Sequence, residues 1–208
     1  IVLFLSSVTD AAQGGLNVFS PASPNLELPG QELQLFRDGA AIARSKGAPL
    51  VTALQSACHA IGEVLDGSDA LLVTYLPGQE GAQALAEILL GAVTPSGKLC
   101  QRWPRRSEDT PVSDTPEHFR ERQCNPDGPV RFTEGLFTGY RWHDRTGVAP
   151  ALAFGHGLSY TSFAYEDFTV TGDTEHGLTA ALTVKNTGTR PVRLSADAID
   201  TVVYHHGA

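Results

Sequence analysis

The sequence lacks several features, and each absence excludes a class of protein. It contains no methionine and only three cysteines, Cys58, Cys100 and Cys124, in 208 residues. These are too few for a disulfide framework or a zinc site, and they are compatible with one disulfide or with three inert thiols. No apolar run approaches the roughly 20 residues of a membrane span, and the opening IVLFLSS has no basic region before it. We therefore predict no membrane partner, and a chain without an initiating methionine is expected to be a piece of a longer protein.

Basic residues are also scarce. The chain has 15 lysines and arginines against 23 aspartates and glutamates, which gives a net charge of −8. Binding to a phosphate backbone requires clustered basic side chains. The cluster of Arg102, Arg105 and Arg106 is only local, so we predict no nucleic-acid partner. An apolar fraction of 41% is ordinary for a globular protein with one sizeable core.

The first 92 residues alternate apolar runs with segments of helical periodicity. Strands are predicted at residues 1–7, 49–55 and 69–76, and helices at residues 31–46, 57–65 and 80–92. This alternation favours an α/β fold, a mainly parallel sheet with helices on both faces. Ligand sites of such sheets lie beyond the carboxyl ends of the strands, where residues 9–30 and the corner at 76–80 are expected.

The spacing of apolar residues predicts which side of each helix is buried. Gly91 is predicted near the carboxyl end of the third helix. In chain order, the predicted buried residues are Leu33, Phe36, Ala40 and Ala43, then Cys58, Ile61 and Leu65, then Leu85, Ile88 and Leu89.

The pattern changes in the second half of the chain. Residues 107–130 are charged and proline-rich, which is typical of an extended loop. Between residues 178 and 185 apolar and polar residues alternate, and this predicts a half-buried strand of an antiparallel sheet. KNTGTRP is then a predicted turn, and DTVVYHH a predicted further strand. These elements indicate an incomplete antiparallel β-sandwich segment.

Five motifs, in this order and at these spacings, resemble glycoside hydrolase family 3. They are LELPG (26–30), YLPGQEGAQALAEILLGAVTPSGKL (75–99), WPR (103–105), TEGLFTGYRWHD (133–144) and LAFGHGLSYTSFAY (152–165). The best-known members of this family are β-glucosidases and β-xylosidases. The resemblance implies that residues 1–158 are the family's C-terminal α/β sandwich domain, truncated at its N-terminus. Residues 159–208 would be the start of its fibronectin type III-like domain, also truncated.

The resemblance also implies a function. Members cleave O-glycosidic bonds at non-reducing β-linked glucosyl or xylosyl ends, with retention, in carbohydrate catabolism. An N-terminal (β/α)8 barrel supplies the nucleophilic aspartate, and the sandwich domain closes the cleft and lends a glutamic acid as general acid/base. The implied partners are β-glucoside or β-xyloside saccharides and the barrel of the parent protein. No cofactor is implied, and a secreted or periplasmic location fits the family.

The chain departs from the family pattern where the general acid belongs. The family loop reads Glu-Gly-x-Asp-Arg about ten residues before LPG, but residues 11–26 contain no Glu, Asp or Arg. Asp10 is the only carboxylate ahead of Glu27. A missing general acid costs about 10²–10⁴-fold in rate. Because the barrel with its nucleophile is absent as well, the isolated chain is predicted to be inactive. Either the general acid comes from another part of the protein, or the chain is a degenerate, non-catalytic module or scaffold. The absence of acidic residues at 11–26 favours the second alternative.

We therefore assign no catalytic residue and no metal ligand, and the substrate-binding residues stay unassigned. Gln79 and Glu80, just after a strand, are interpreted as caps of the following helix, because carboxylates are stabilised at helix N-termini. Glu134 and Arg141 are interpreted as an ion pair or as backbone anchors rather than as sugar ligands.

The remaining histidines and aromatic residues have structural interpretations. His156, between two glycines, is predicted to be packed and hydrogen-bonded rather than a catalytic base. His205 and His206 have no further ligand at metal-binding spacing. Aromatic side chains at element junctions more often fill cores than stack on sugars, and this interpretation applies to Trp103, Trp142 and Tyr140.

Overall fold

The structure is a computed structural model, and it describes residues 1–7, 26–56, 59–111 and 134–192. The chain divides into two compact units. One contains residues 1–82 and 99–154, and the other contains residues 83–98 and the residues from 155 onward. The predicted domain boundary between residues 158 and 159 stays a prediction.

The first unit contains a parallel three-stranded sheet. Its strands are β1 (Val2–Ser7), β2 (Val51–Ser56) and β3 (Ala70–Val73), in the order β1-β2-β3. Val2 of β1 pairs with Val51 of β2, and Val51 pairs with Ala70 of β3. Helix α1 (Gly30–Ser45) connects β1 to β2, and helix α2 (Gly62–Gly67) connects β2 to β3. The predicted α/β class with a mainly parallel sheet is confirmed.

The core of this unit lies between the sheet and its helices. Phe36, Ala40 and Ala43 of α1 are buried as their spacing predicted, whereas Leu33, predicted on the same side, is half-buried. Helix α2 begins later than predicted, at Gly62, and its buried apolar side chain is Val64 rather than Leu65, which is half-buried. Cys58, predicted on the same side of that helix, lies outside the described residues. The side chains that pack together in the core are Leu5, Leu28, Phe36, Leu50, Leu54, Ile61, Val64, Leu99 and Trp103.

Strand β1 is only partly buried although its sequence is continuously apolar. Leu5 is 1% exposed, whereas Val2 and Phe4 are 47% and 59% exposed. Strand β1 lies at the edge of the three-stranded sheet, and alternate side chains of a strand point to opposite faces. Only the face that carries Leu3 and Leu5 packs against the core.

Two short helical segments complete the described part of this unit. Residues Ser107–Asp109 form one 3-10 turn at the start of the predicted loop, and residues 112–130 lie outside the described ranges. Helix α4 (Tyr140–Thr146) was not predicted from the sequence. It ends at Gly147, which adopts a φ of +71° that glycine accepts without a Cβ clash. No described helix is both long enough and apolar enough to cross a membrane.

The second unit contains an antiparallel hairpin of β4 (Phe163–Asp173) and β5 (Gly177–Asn186). Strand β5 confirms the predicted strand at 178–185, but it is largely exposed rather than half-buried. Strand β4 was not predicted, because a bulge between Glu166 and Thr169 interrupts its alternation. The predicted strand DTVVYHH lies outside the described residues.

Helix α3 (Gly81–Leu89) ends against residues of the hairpin region. The Tyr160 hydroxyl donates to the carbonyl oxygen of Ile88 at 2.9 Å, and the Arg190 guanidinium donates to that of Gly91 at 3.2 Å. Arg190 also lies over the Tyr160 ring, 5.7 Å from its centroid. The Ile88 carbonyl also accepts from the Gly91 amide at 2.9 Å, so Tyr160 adds a second donor there, and Arg190 bonds to a carbonyl just beyond the end of the helix. The predicted helix end near Gly91 is confirmed, and Leu85, Ile88 and Leu89 are half-buried.

Replacing Gly62 by alanine should destabilise the first unit. The Gly62 amide donates to the Arg105 carbonyl at 2.9 Å, and a Cβ would lie 2.7 Å from that same oxygen. We expect Gly62→Ala to lower the free energy of unfolding by about 1–3 kcal/mol, as overpacking does, measured by urea denaturation. A Cβ at Gly30 would meet no atom within 4 Å, so Gly30→Ala is the control and should stay within about 0.5 kcal/mol. Equal effects of the two substitutions would contradict this account.

Candidate functional site

The carboxyl ends of the three parallel strands meet at one edge of the sheet. Strand β1 ends at Ser7, β2 at Ser56 and β3 at Val73. The Ser56 hydroxyl is fully buried and has no hydrogen-bond partner in the described part of the chain. This edge is where the sequence predicted a ligand, since the connections beyond the strand ends form the binding crevice of such sheets.

The corner after β3 is a tight turn at this edge. The Thr74 amide continues the ladder by donating to the Leu54 carbonyl at 2.9 Å. Tyr75 then adopts a φ of +51°, a left-handed conformation that costs a non-glycine residue about 1–3 kcal/mol. A Cβ at Gly81 would overlap the ring of Pro77, so the close packing of this turn requires glycine there. The corner is therefore strained and closely packed.

Glu80 lies immediately before helix α3, which begins one residue later than the predicted helix at residues 80–92. Both Gln79 and Glu80 are exposed, and neither side chain makes a hydrogen bond to a described residue. The Gly81 amide instead approaches the Gly78 carbonyl at 3.4 Å. The structure therefore describes no capping hydrogen bond from either side chain, and the stabilisation of the helix by the Glu80 charge stays a prediction.

A second feature of this edge is the point at which the chain returns from residues 8–25. The Leu26 amide donates to the Ser107 hydroxyl at 3.1 Å, and the Leu26 carbonyl accepts from the Ala60 amide at 2.8 Å. The Nδ1 atom of His59 lies 3.0 Å from the same carbonyl oxygen. Glu27 forms a parallel bridge with Ala60. We call Leu26, Glu27, His59, Ala60 and Ser107 the re-entry anchor.

The Glu27 carboxylate has a structural role in this anchor. Its Oε1 atom accepts hydrogen bonds from the Ser107 amide at 3.1 Å and from the Ser107 hydroxyl at 2.9 Å. Glu27 therefore holds the returning chain to Ser107.

A carboxylate that sequence reasoning missed lies near the end of β1. Glu32, in the first turn of α1, accepts a hydrogen bond from the Ser6 amide through Oε2 at 3.3 Å. No sequence motif singles it out, because its partner is 26 residues away and is a backbone group. Glu27, Glu32 and Glu80 are the glutamates that the structure describes around this edge.

Comparison with known proteins decides the family. Residues 1–140 match the model of the glycosyl hydrolase family 3 C-terminal domain. The chain belongs to glycosyl hydrolase family 3. The resemblance stated from the motifs is thereby confirmed.

Relatives and solved structures of this family agree over most of the chain. A β-glucosidase of Rhizobium radiobacter is 35% identical over 171 residues, which cover 80% of this chain and 20% of that protein. Among solved structures, β-glucosidase 3B from Thermotoga neapolitana in complex with glucose matches with a TM-score of 0.72 and 29% identity. That match covers 91% of this chain and 25% of the other. DesR, a β-glucosidase from Streptomyces venezuelae in complex with D-glucose, matches with a TM-score of 0.70 and 34% identity, over 91% and 22% of the two chains.

The chain thus spans about a fifth to a quarter of the length of these family 3 relatives. Asp10 and the acid-free stretch at 11–26 lie almost entirely outside the described ranges. The absence of an assigned catalytic residue in this family 3 chain therefore stays a prediction.

Tyr75 connects the strained corner to the core. Its ring lies 6.0 Å from the Trp103 ring, and burial raises the pKa of its hydroxyl. Trp103 is fully buried, which confirms the core interpretation. The Cys100 thiol is free and exposed, 3.7 Å from the Tyr75 hydroxyl. Cys58 and Cys124 lie outside the described ranges.

The motif at 133–144 forms a surface cluster around α4. Arg141 donates to the Leu136 carbonyl at 3.5 Å and makes no ion pair with Glu134 in the described chain, so the backbone-anchor alternative is the correct one for Arg141. Tyr140 is half-buried and has the Arg141 guanidinium 5.3 Å from its ring centroid. Trp142 is half-buried edge-to-face against His143.

The histidines differ from their predicted roles. His156 is exposed and makes no hydrogen bond to a described residue, so the prediction of a packed histidine is wrong. The neighbouring Gly157 carbonyl instead accepts from Lys98. His205 and His206 lie outside the described ranges. In the described residues, no three His, Cys, Asp or Glu side chains are grouped to hold a metal ion.

Removing the Ser107 hydroxyl should weaken the re-entry anchor. Ser107→Ala deletes the acceptor of the Leu26 amide and one of the two donors to Glu27. Leaving partly buried polar groups unpaired costs about 1–3 kcal/mol, and we expect that loss in the free energy of unfolding measured in urea. Ser45→Ala is the control, because the Ser45 hydroxyl makes one exposed bond within its own helix. A loss for Ser107→Ala no larger than for Ser45→Ala would refute the anchor.

Proposed function

We propose that this chain is the C-terminal domain of a retaining β-glycosidase that closes the active-site cleft over a (β/α)8 barrel. The substrates would be saccharides with non-reducing β-linked glucosyl or xylosyl ends. The observation that carries the proposal is the likeness over 91% of the chain to β-glucosidases in complex with glucose. The connection from β1 to α1, where this family's acid/base loop belongs, begins at Ser7 and is pinned at its return by the re-entry anchor.

The carboxylates around the sheet edge support a role in closing the cleft, with little or no part in proton transfer. Residues 11–26 contain no Glu, Asp or Arg, and Glu27 is committed to Ser107. Retaining hydrolysis requires an acid/base carboxyl about 5–5.5 Å from the nucleophile. Glu32 and Glu80 are the described glutamates near the edge that are not held by Ser107. The chain would shape and close the cleft while supplying weak acid assistance or none.

Two substrates with different leaving groups can distinguish a cleft-closing domain from a degenerate scaffold. A dinitrophenolate departs without a proton, whereas the sugar alkoxide released from cellobiose requires one from a general acid. We expect the 208-residue chain, co-expressed with the barrel of a family 3 β-glucosidase, to restore hydrolysis of dinitrophenyl β-glucoside. Hydrolysis of cellobiose should stay about 10²–10⁴-fold below that of the parent enzyme. Each half alone is the control and should be inactive.

The other outcomes each have a meaning. Binding to the barrel without hydrolysis of either substrate would favour the degenerate scaffold, which the acid-free stretch at 11–26 supports. Cellobiose hydrolysis at the parental rate would show a working acid. Substituting Asp10→Asn, Glu27→Gln, Glu32→Gln and Glu80→Gln one at a time would then locate it. Absence of both binding and hydrolysis would contradict the cleft-closing role.

A further inference from the structure

We draw no further inference here: the strongest candidate, the apolar face of the three-stranded sheet on which Val2 and Phe4 of β1 are 47% and 59% exposed, is an unpartnered surface, and nothing in the described part of the chain shows what covers it.

Discussion

The packing of the first unit depends on backbone hydrogen bonds that the residues after β2 make to two distant segments of the chain. The amides of Ala60, Ile61 and Gly62 donate to the carbonyls of Leu26, Pro104 and Arg105, at 2.8, 3.1 and 2.9 Å. These bonds place Trp103 in the core, where it is fully buried. The Trp103 amide also donates to the Leu152 carbonyl at 3.0 Å, which connects the segment after α4 to the core. Without these contacts, buried polar backbone groups would have to go unpaired at a large cost.

The elements that the sequence predicts best are those whose pattern is local and regular. The spacing of Phe36, Ala40 and Ala43 predicts α1, because helical periodicity places them on one face. The alternation from Leu178 to Val184 predicts β5 for the same kind of reason. Strand β4 escapes prediction since one extra residue between Glu166 and Thr169 shifts the alternation by one position. Helix α4 spans seven residues, too few for a clear period.

The contacts of the candidate site are even harder to predict from local sequence patterns. The motifs around Pro77-Gly78 and LELPG predict which connections meet at the carboxyl edge of the sheet. They do not predict that Glu27 bonds to Ser107, 80 residues away, or that His59 reaches the Leu26 carbonyl. Such contacts depend on the tertiary approach of segments that carry no shared pattern. For this reason the sequence left the glutamates undifferentiated, and only the geometry distinguishes the pinned Glu27 from the exposed Glu80.

The contacts at the end of α3 bear on how this protein can be divided for study. Tyr160 donates to the Ile88 carbonyl near the end of α3, 72 residues earlier in the sequence, and Arg190 donates to the Gly91 carbonyl just beyond that end, 99 residues earlier. A version shortened after residue 158 would retain the helix but lose both donors. The Ile88 carbonyl would keep the Gly91 amide as its donor, whereas the Gly91 carbonyl would have to bond to water in place of Arg190. A fragment chosen for independent expression should therefore extend past Arg190 to keep both contacts with the end of α3.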